Sequence, residues 1–196
     1  MDKKLLMAPI ERRMGFDKYC EIVMLAKATD DLRNCDYFQR LFNGYYVVRR
    51  DPDWRDSFYS VFQEVKTGII KCCFDDIIDA IFEKTNGRVE ASFSSKLLSV
   101  FDDSMPIIDS NVINNTNLPI KGNSPQTKLE NAKIVYQTLC DRYTEFYKNC
   151  GEVLHLFDSL FPNFADRLSM TKKIDYFLWS FTRKELEQSG LFGGLI

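Results

Sequence analysis

Apolar residues recur every three or four positions along nearly the whole chain. This period builds helices and denies strands, whose apolar positions alternate by two. Phe16, Tyr19, Cys20, Val23 and Met24 share one helical face; Tyr37, Phe38, Leu41 and Phe42 form the next, with Asn34 as cap and Asn43-Gly44 as stop. Tyr45 to Arg50 reads as an extended connection. Asp51-Pro52-Asp53 opens a helix, since proline fits the first turn and an aspartate caps it. Trp54, Phe58, Val61, Phe62 and Val65 then make a core-facing stripe ended by Thr67-Gly68. Phe74, Ile77, Ile78, Ile81 and Phe82 form another, closed by Asn86-Gly87. A long polar loop is expected over residues 114–126, followed by a helix from Leu129 to Tyr147 broken at Gly151. Val153 to Leu160 makes a shorter helix stopped by Pro162, with His155 packed among its apolar residues. Thr171 caps the last helix, which buries Ile174, Phe177, Leu178 and Phe181, and the tail from Gly190 is expected to be loosely held. The class is all-α, in one domain over residues 1–196 or two closely packed lobes.

Sixteen Phe, nine Tyr and two Trp supply an aromatic core. No apolar run approaches the roughly 18 residues of a membrane span, and the first ten residues lack the length of a secretory signal. A cytoplasmic protein with no membrane contact is expected. The six cysteines contain no CxxC and stand with a single histidine, so free thiols are expected ahead of disulfides or a metal site. The net charge of -2 and pI near 5.5 argue against a dedicated nucleic-acid binder. Basic pairs at Lys3/Lys4, Arg12/Arg13, Arg49/Arg50 and Lys172/Lys173 leave room for a local positive face, although each pair alone reads as solvated surface.

The most specific chemistry lies between residues 74 and 112. Ser92-Phe93-Ser94-Ser95-Lys96 reads as a tight hairpin of small residues that delivers a lysine at the start of a helix. Pro106-Ile107-Ile108-Asp109-Ser110, with Val112 in the next apolar slot, places an aspartate at the start of the following helix. These two segments resemble the signatures of the helix-hairpin-helix DNA glycosylases, in particular the bacterial 8-oxoguanine-glycosylase-like branch. That family carries Gly-hydrophobic-Gly-x-Lys followed by a Pro-apolar-Asp-Ser/Thr turn. Phe42 to Arg50 with Trp54, and Lys173 to Trp179, also look like parts of that branch.

The resemblance implies a two-lobed helical bundle, with the hairpin at about residues 74–104 and the aspartate turn at 105–112. It implies a DNA N-glycosylase, with associated abasic-site lyase activity, that removes a modified or damaged base in repair or in defence against modified DNA, in a bacterial or phage setting. Lys96 would be the nucleophile and Asp109 its electrostatic partner. Ser92, Phe93, Ser94 and Ser95 would approach the DNA backbone, with Arg49 and Arg50 as phosphate contacts. Tyr45, Trp54, Tyr176 and Trp179 would line a pocket for a flipped base. No metal or organic cofactor is implied; the partner is DNA and the chain a monomer. Serines stand where the family has glycines, and only thirteen positions separate Lys96 from Asp109, fewer than in the family. These departures keep open a non-catalytic helical module that binds DNA or a protein.

Overall fold

In a computed structural model, residues 9–10 and 15–196 are described. The described chain is helical, with no strand among the described residues. It divides into two compact units. The N-terminal unit is Gly15–Asp102 with Ile120–Ile134; the C-terminal unit includes Asp103–Pro119 and Val135–Ile196. The basic pairs Lys3/Lys4 and Arg12/Arg13 lie outside the described residues.

The N-terminal unit is built from α1 (Phe16–Ala28), α2 (Asp36–Tyr45), α3 (Pro52–Lys66), α4 (Phe74–Lys84) and α5 (Ala91–Phe101). Its centre is aromatic: the Phe62 ring lies 5.2 Å from Phe38 and 5.4 Å from Phe42, and both contacts are edge-on. Trp54 stacks on Phe58 at 4.9 Å and leans on Phe93 at 5.0 Å. Asp51 caps α3 as the sequence predicts, its carboxylate accepting from the Trp54 amide at 2.8 Å.

Other expectations give way to local hydrogen bonding. Asn34 does not cap α2; it ends a short 3-10 turn, Leu32–Asn34, and its side chain donates to Asp31. Gly44 lies inside α2, which runs on to Tyr45. The connection after α2 is not extended throughout: Val47 turns the chain at φ 53°, and a β-branched residue in that left-handed region is strained.

In the C-terminal unit, a stretch from Asp103 leads to α6 (Ser110–Thr116), the later part of α7 (Pro125–Tyr147), α8 (Gly151–Leu160), α9 (Met170–Ser180) and α10 (Arg183–Ser189). Because α6 runs to Thr116 and α7 starts at Pro125, the expected long loop is confined to residues 117–124. Ser169, not Thr171, caps α9. The Thr171 hydroxyl instead donates to the Ser104 carbonyl at 2.8 Å, and Tyr136 OH donates to the Pro106 carbonyl at 2.8 Å, pinning the stretch before α6. The tail is not loose. Phe192 and Leu195 are buried, with Phe192 between Phe146 and Phe177 at 5.8 and 5.5 Å. His155 is exposed rather than packed.

All six cysteines are free thiols; Cys150 is buried and Cys72 exposed. No described helix is long and apolar enough to cross a membrane.

Candidate functional site

The hairpin expected at residues 92–96 is a helix. Ser92, Phe93, Ser94, Ser95 and Lys96 all lie inside α5. Phe93, Ser94 and Ser95 are buried, and the serine hydroxyls bond back to the helix: Ser94 to the Glu90 carbonyl at 3.0 Å, Ser95 to that of Ser92 at 3.1 Å. A buried serine satisfied in this way is compatible with a helix interior. Its small size also suits close packing, and Tyr19 OH reaches the Ser99 carbonyl at 3.1 Å. Small residues here serve packing between helices, not approach to a phosphate.

The turn that does join two helices lies one step earlier, at residues 85–90 between α4 and α5. Asn86 and Gly87 take φ values of 55° and 79°, and the Gly87 amide reaches back to the Phe82 carbonyl at 2.9 Å. This is the left-handed closure that glycine and asparagine make cheaply. The residue at the start of α5 is therefore Glu90, not Lys96. Glu90 is buried, and Arg50 grips it with two hydrogen bonds of 3.0 Å. That pairing raises the Arg50 guanidinium pKa further. The Arg50 guanidinium also lies over the Phe93 ring at 5.3 Å and the Trp54 ring at 5.6 Å. Arg50 is thus committed within the fold, while Arg49 is exposed.

Beside the turn is a cleft of about 330 Å³ lined by Asp51, Trp54, Lys84, Thr85, Asn86 and Arg88 among others. Its charges are mixed; Arg88 lies 3.6 Å from Asp51. Lys96 is half-buried, its ammonium 5.2 Å from the Phe93 ring centre and 5.5 Å from that of Tyr46. Aromatic faces favour the charged ammonium.

Lys96 belongs to the N-terminal unit and Asp109 to the C-terminal unit. Asp109 is placed as the sequence predicts, at the N-cap of α6, where its Oδ1 accepts from the Val112 amide at 3.0 Å. Ile107 and Ile108 are buried and anchor the turn. The same unit buries a group of ionisable side chains. Lys172 Nζ and Asp175 Oδ2 pair at 2.8 Å with both side chains nearly fully buried, and Tyr143 OH donates to Asp175 Oδ1 at 2.6 Å. Burial pushes the Asp175 carboxyl up, against the pull of Lys172 and Tyr143; the charge of Asp109 adds to the rise. Lys173 is buried too and pairs with Asp158 at 2.6 Å. Lys172/Lys173 is therefore not a solvated basic pair, because each ammonium has a carboxylate within reach and an apolar stem to bury.

The four aromatic residues expected around one base are divided. Tyr45 and Trp54 belong to the N-terminal unit, Tyr176 and Trp179 to the C-terminal unit. Trp54 and Tyr176 are buried core residues, and Tyr45 is half-buried against Tyr19 and Tyr46. Trp179 is half-buried and lines a second cleft of about 220 Å³, shared with Asn111, Asn114, Asn115, Ser180 and Arg183 among others. The spacing of Asn111, Asn114 and Asn115 was a readable sign of one helical face.

No family model, curated protein or solved structure matches the chain.

Proposed function

We propose that this is a DNA glycosylase-type protein that removes a modified or damaged base by breaking its N-glycosidic bond. The observation that carries this reading is Asp109. It sits at the start of α6 behind a buried Pro-Ile-Ile anchor, with one carboxylate oxygen held by a backbone amide. Its other oxygen makes no hydrogen bond among the described residues, which leaves it available to face the positive charge that grows on a sugar as its base departs. The helix–turn–helix of α4 and α5 supports the same reading, with Arg88 exposed on the turn and Arg49 exposed in the connection between α2 and α3 as phosphate contacts.

In this reading, the neutral Lys96 amine attacks C1′, the base leaves with a proton, and the opened sugar remains as a Schiff base. The amine must first lose its proton to act as a nucleophile.

A second reading, a non-catalytic DNA- or protein-binding module, is favoured by Glu90. The family pattern puts its lysine at the start of the helix after the turn, and here a carboxylate locked by Arg50 occupies that place. Borohydride reduction with duplexes carrying abasic sites and a panel of lesions separates the two. The glycosylase reading expects a covalent adduct that Lys96→Gln abolishes, and base release that Asp109→Asn slows by about a hundredfold or more. Base release that survives Lys96→Gln but not Asp109→Asn leaves a hydrolytic glycosylase without the lysine step. Bound DNA with neither adduct nor base release leaves the module.

A further inference from the structure

The turn that carries Asp109 is tied down by side chains far from it in sequence. Residues 103–109, ahead of α6, form no helix. Backbone carbonyls in such a segment need partners from elsewhere. Three hydroxyls supply them. Ser169 Oγ donates to the Asp103 carbonyl at 2.6 Å, Thr171 Oγ1 to that of Ser104 at 2.8 Å, and Tyr136 OH to that of Pro106 at 2.8 Å. Ser169 and Thr171 stand at the start of α9, and Tyr136 on the later part of α7.

The tie at Ser104 reaches further. The Thr171 hydroxyl has one hydrogen, and a carbonyl can only accept it. The Tyr147 hydroxyl, 2.5 Å from Thr171 Oγ1, is therefore the donor of that pair. A chain of hydroxyls thus runs from the last turn of α7 through Thr171 to the Ser104 carbonyl, each link polarising the next. The tie at Pro106 is buried, as are Tyr136, Ile107 and Ile108. Burial of the two isoleucines is non-directional and sets only the depth of the turn. Hydrogen bonds have direction, so they set where the turn lies along the core.

We infer that Tyr136 and Thr171 are positioning residues for Asp109: their bonds to the Pro106 and Ser104 carbonyls fix where its carboxylate stands and, through it, the rate of base release. The inference rests on the glycosylase-type reading for its choice of reaction. A group misplaced by about 1 Å costs roughly a hundredfold in rate. Releasing one tie of several displaces the turn by less, and a loss of about tenfold is expected.

The Val112 amide gives a readout that does not depend on activity. It is one of the first donors of α6, which the helix's own carbonyls cannot reach, and Asp109 Oδ1 accepts from it at 3.0 Å. Its hydrogen exchange therefore follows the place of that carboxylate. The experiment compares Tyr136→Phe, Thr171→Val and Thr171→Ser in the full chain, by amide exchange and by base release from lesion-bearing duplexes. Tyr136→Phe and Thr171→Val are each expected to speed Val112 exchange while the amides of Ile174 to Leu178 keep their rates. Each is expected to lower kcat by about tenfold with KM unchanged. Thr171→Ser keeps the hydroxyl and is expected to restore both. With Asp109→Asn already present, Tyr136→Phe is expected to slow base release no further, because a residue that acts through another adds nothing once that other is gone. Unchanged Val112 exchange in Tyr136→Phe and Thr171→Val overturns the inference, as does an equal loss of base release with and without the Asp109 carboxylate. If Val112 stays silent while lesions are excised, the positioning role falls alone. If Val112 responds and the parent excises no lesion, the hold on Asp109 stands and the excision reading falls.

Discussion

Lys172 and Asp175 are three positions apart, a spacing that on any exposed helix makes a weak surface pair. Here both side chains are within the C-terminal core, where the cost of removing charge from water makes each dependent on the other. Lys172→Met strands the Asp175 carboxylate, and a loss of about 3–5 kcal/mol in urea unfolding is expected. Adding Asp175→Asn removes the stranded charge and keeps an acceptor for Tyr143, so the double variant is expected to recover a large part of the loss. Equal losses in the single and double variants are incompatible with a coupled buried pair. The charge pattern at these positions was visible in the sequence, but their burial was not. Burial depends on which face of α9 meets α7, and a run as apolar as Ile174 to Leu178 leaves that face undefined. Asp109 was legible for the opposite reason. A cap is a local device, made by a short side chain and an amide three residues on.

At the scale of elements, helix starts with their own chemistry were readable and tightly joined turns were not. Asp51 before Pro52 led directly to α3. The serines of α5 looked like hairpin residues because serine competes for backbone bonds in turns; here their hydroxyls bond carbonyls of the same helix. With the helix in place from Ala91, the turn falls at Asn86-Gly87, which the sequence had marked only as the end of a helix.

The short α10 was missed because seven residues carry little periodicity, yet its capping box was present in sequence as Thr182 and Glu185. The Thr182 amide and hydroxyl hold the Glu185 carboxyl below its ordinary value of 4.5. With the folded pKa depressed, this contribution is present above the unfolded value and is lost as pH falls through the folded one. Thr182→Ala is expected to cost about 1 kcal/mol at neutral pH. Melting curves of the variant and the parent should draw closer in acid, where protonation removes the carboxylate's part of the cap and leaves only the hydroxyl's bond from the Glu185 amide. A gap that stays constant into acid shows that the carboxylate takes no part in the cap.

At the scale of the whole molecule, the described chain forms two compact units, each with an aromatic centre. The residues that close the C-terminal core come from the tail, which composition alone marks as loose. Phe192 packs between Phe146 and Phe177. Phe192→Ala is expected to destabilise by about 3–5 kcal/mol in denaturant unfolding. A loss under about 1 kcal/mol shows the tail to be an ornament on a core complete without it.

The sequence by itself determined that the chain is all-α, where most helices run, and that Asp109 caps one, because periodicity and capping act over a few residues. Only the tertiary structure decided that Glu90 rather than Lys96 stands at the N-cap of α5, that Arg50 is committed to it, that Lys172 is a core residue, and that three asparagines share a cleft with Trp179. Each of these depends on which surfaces meet after the helices form, and surfaces far apart in sequence are matched by packing, whose rules leave no local mark.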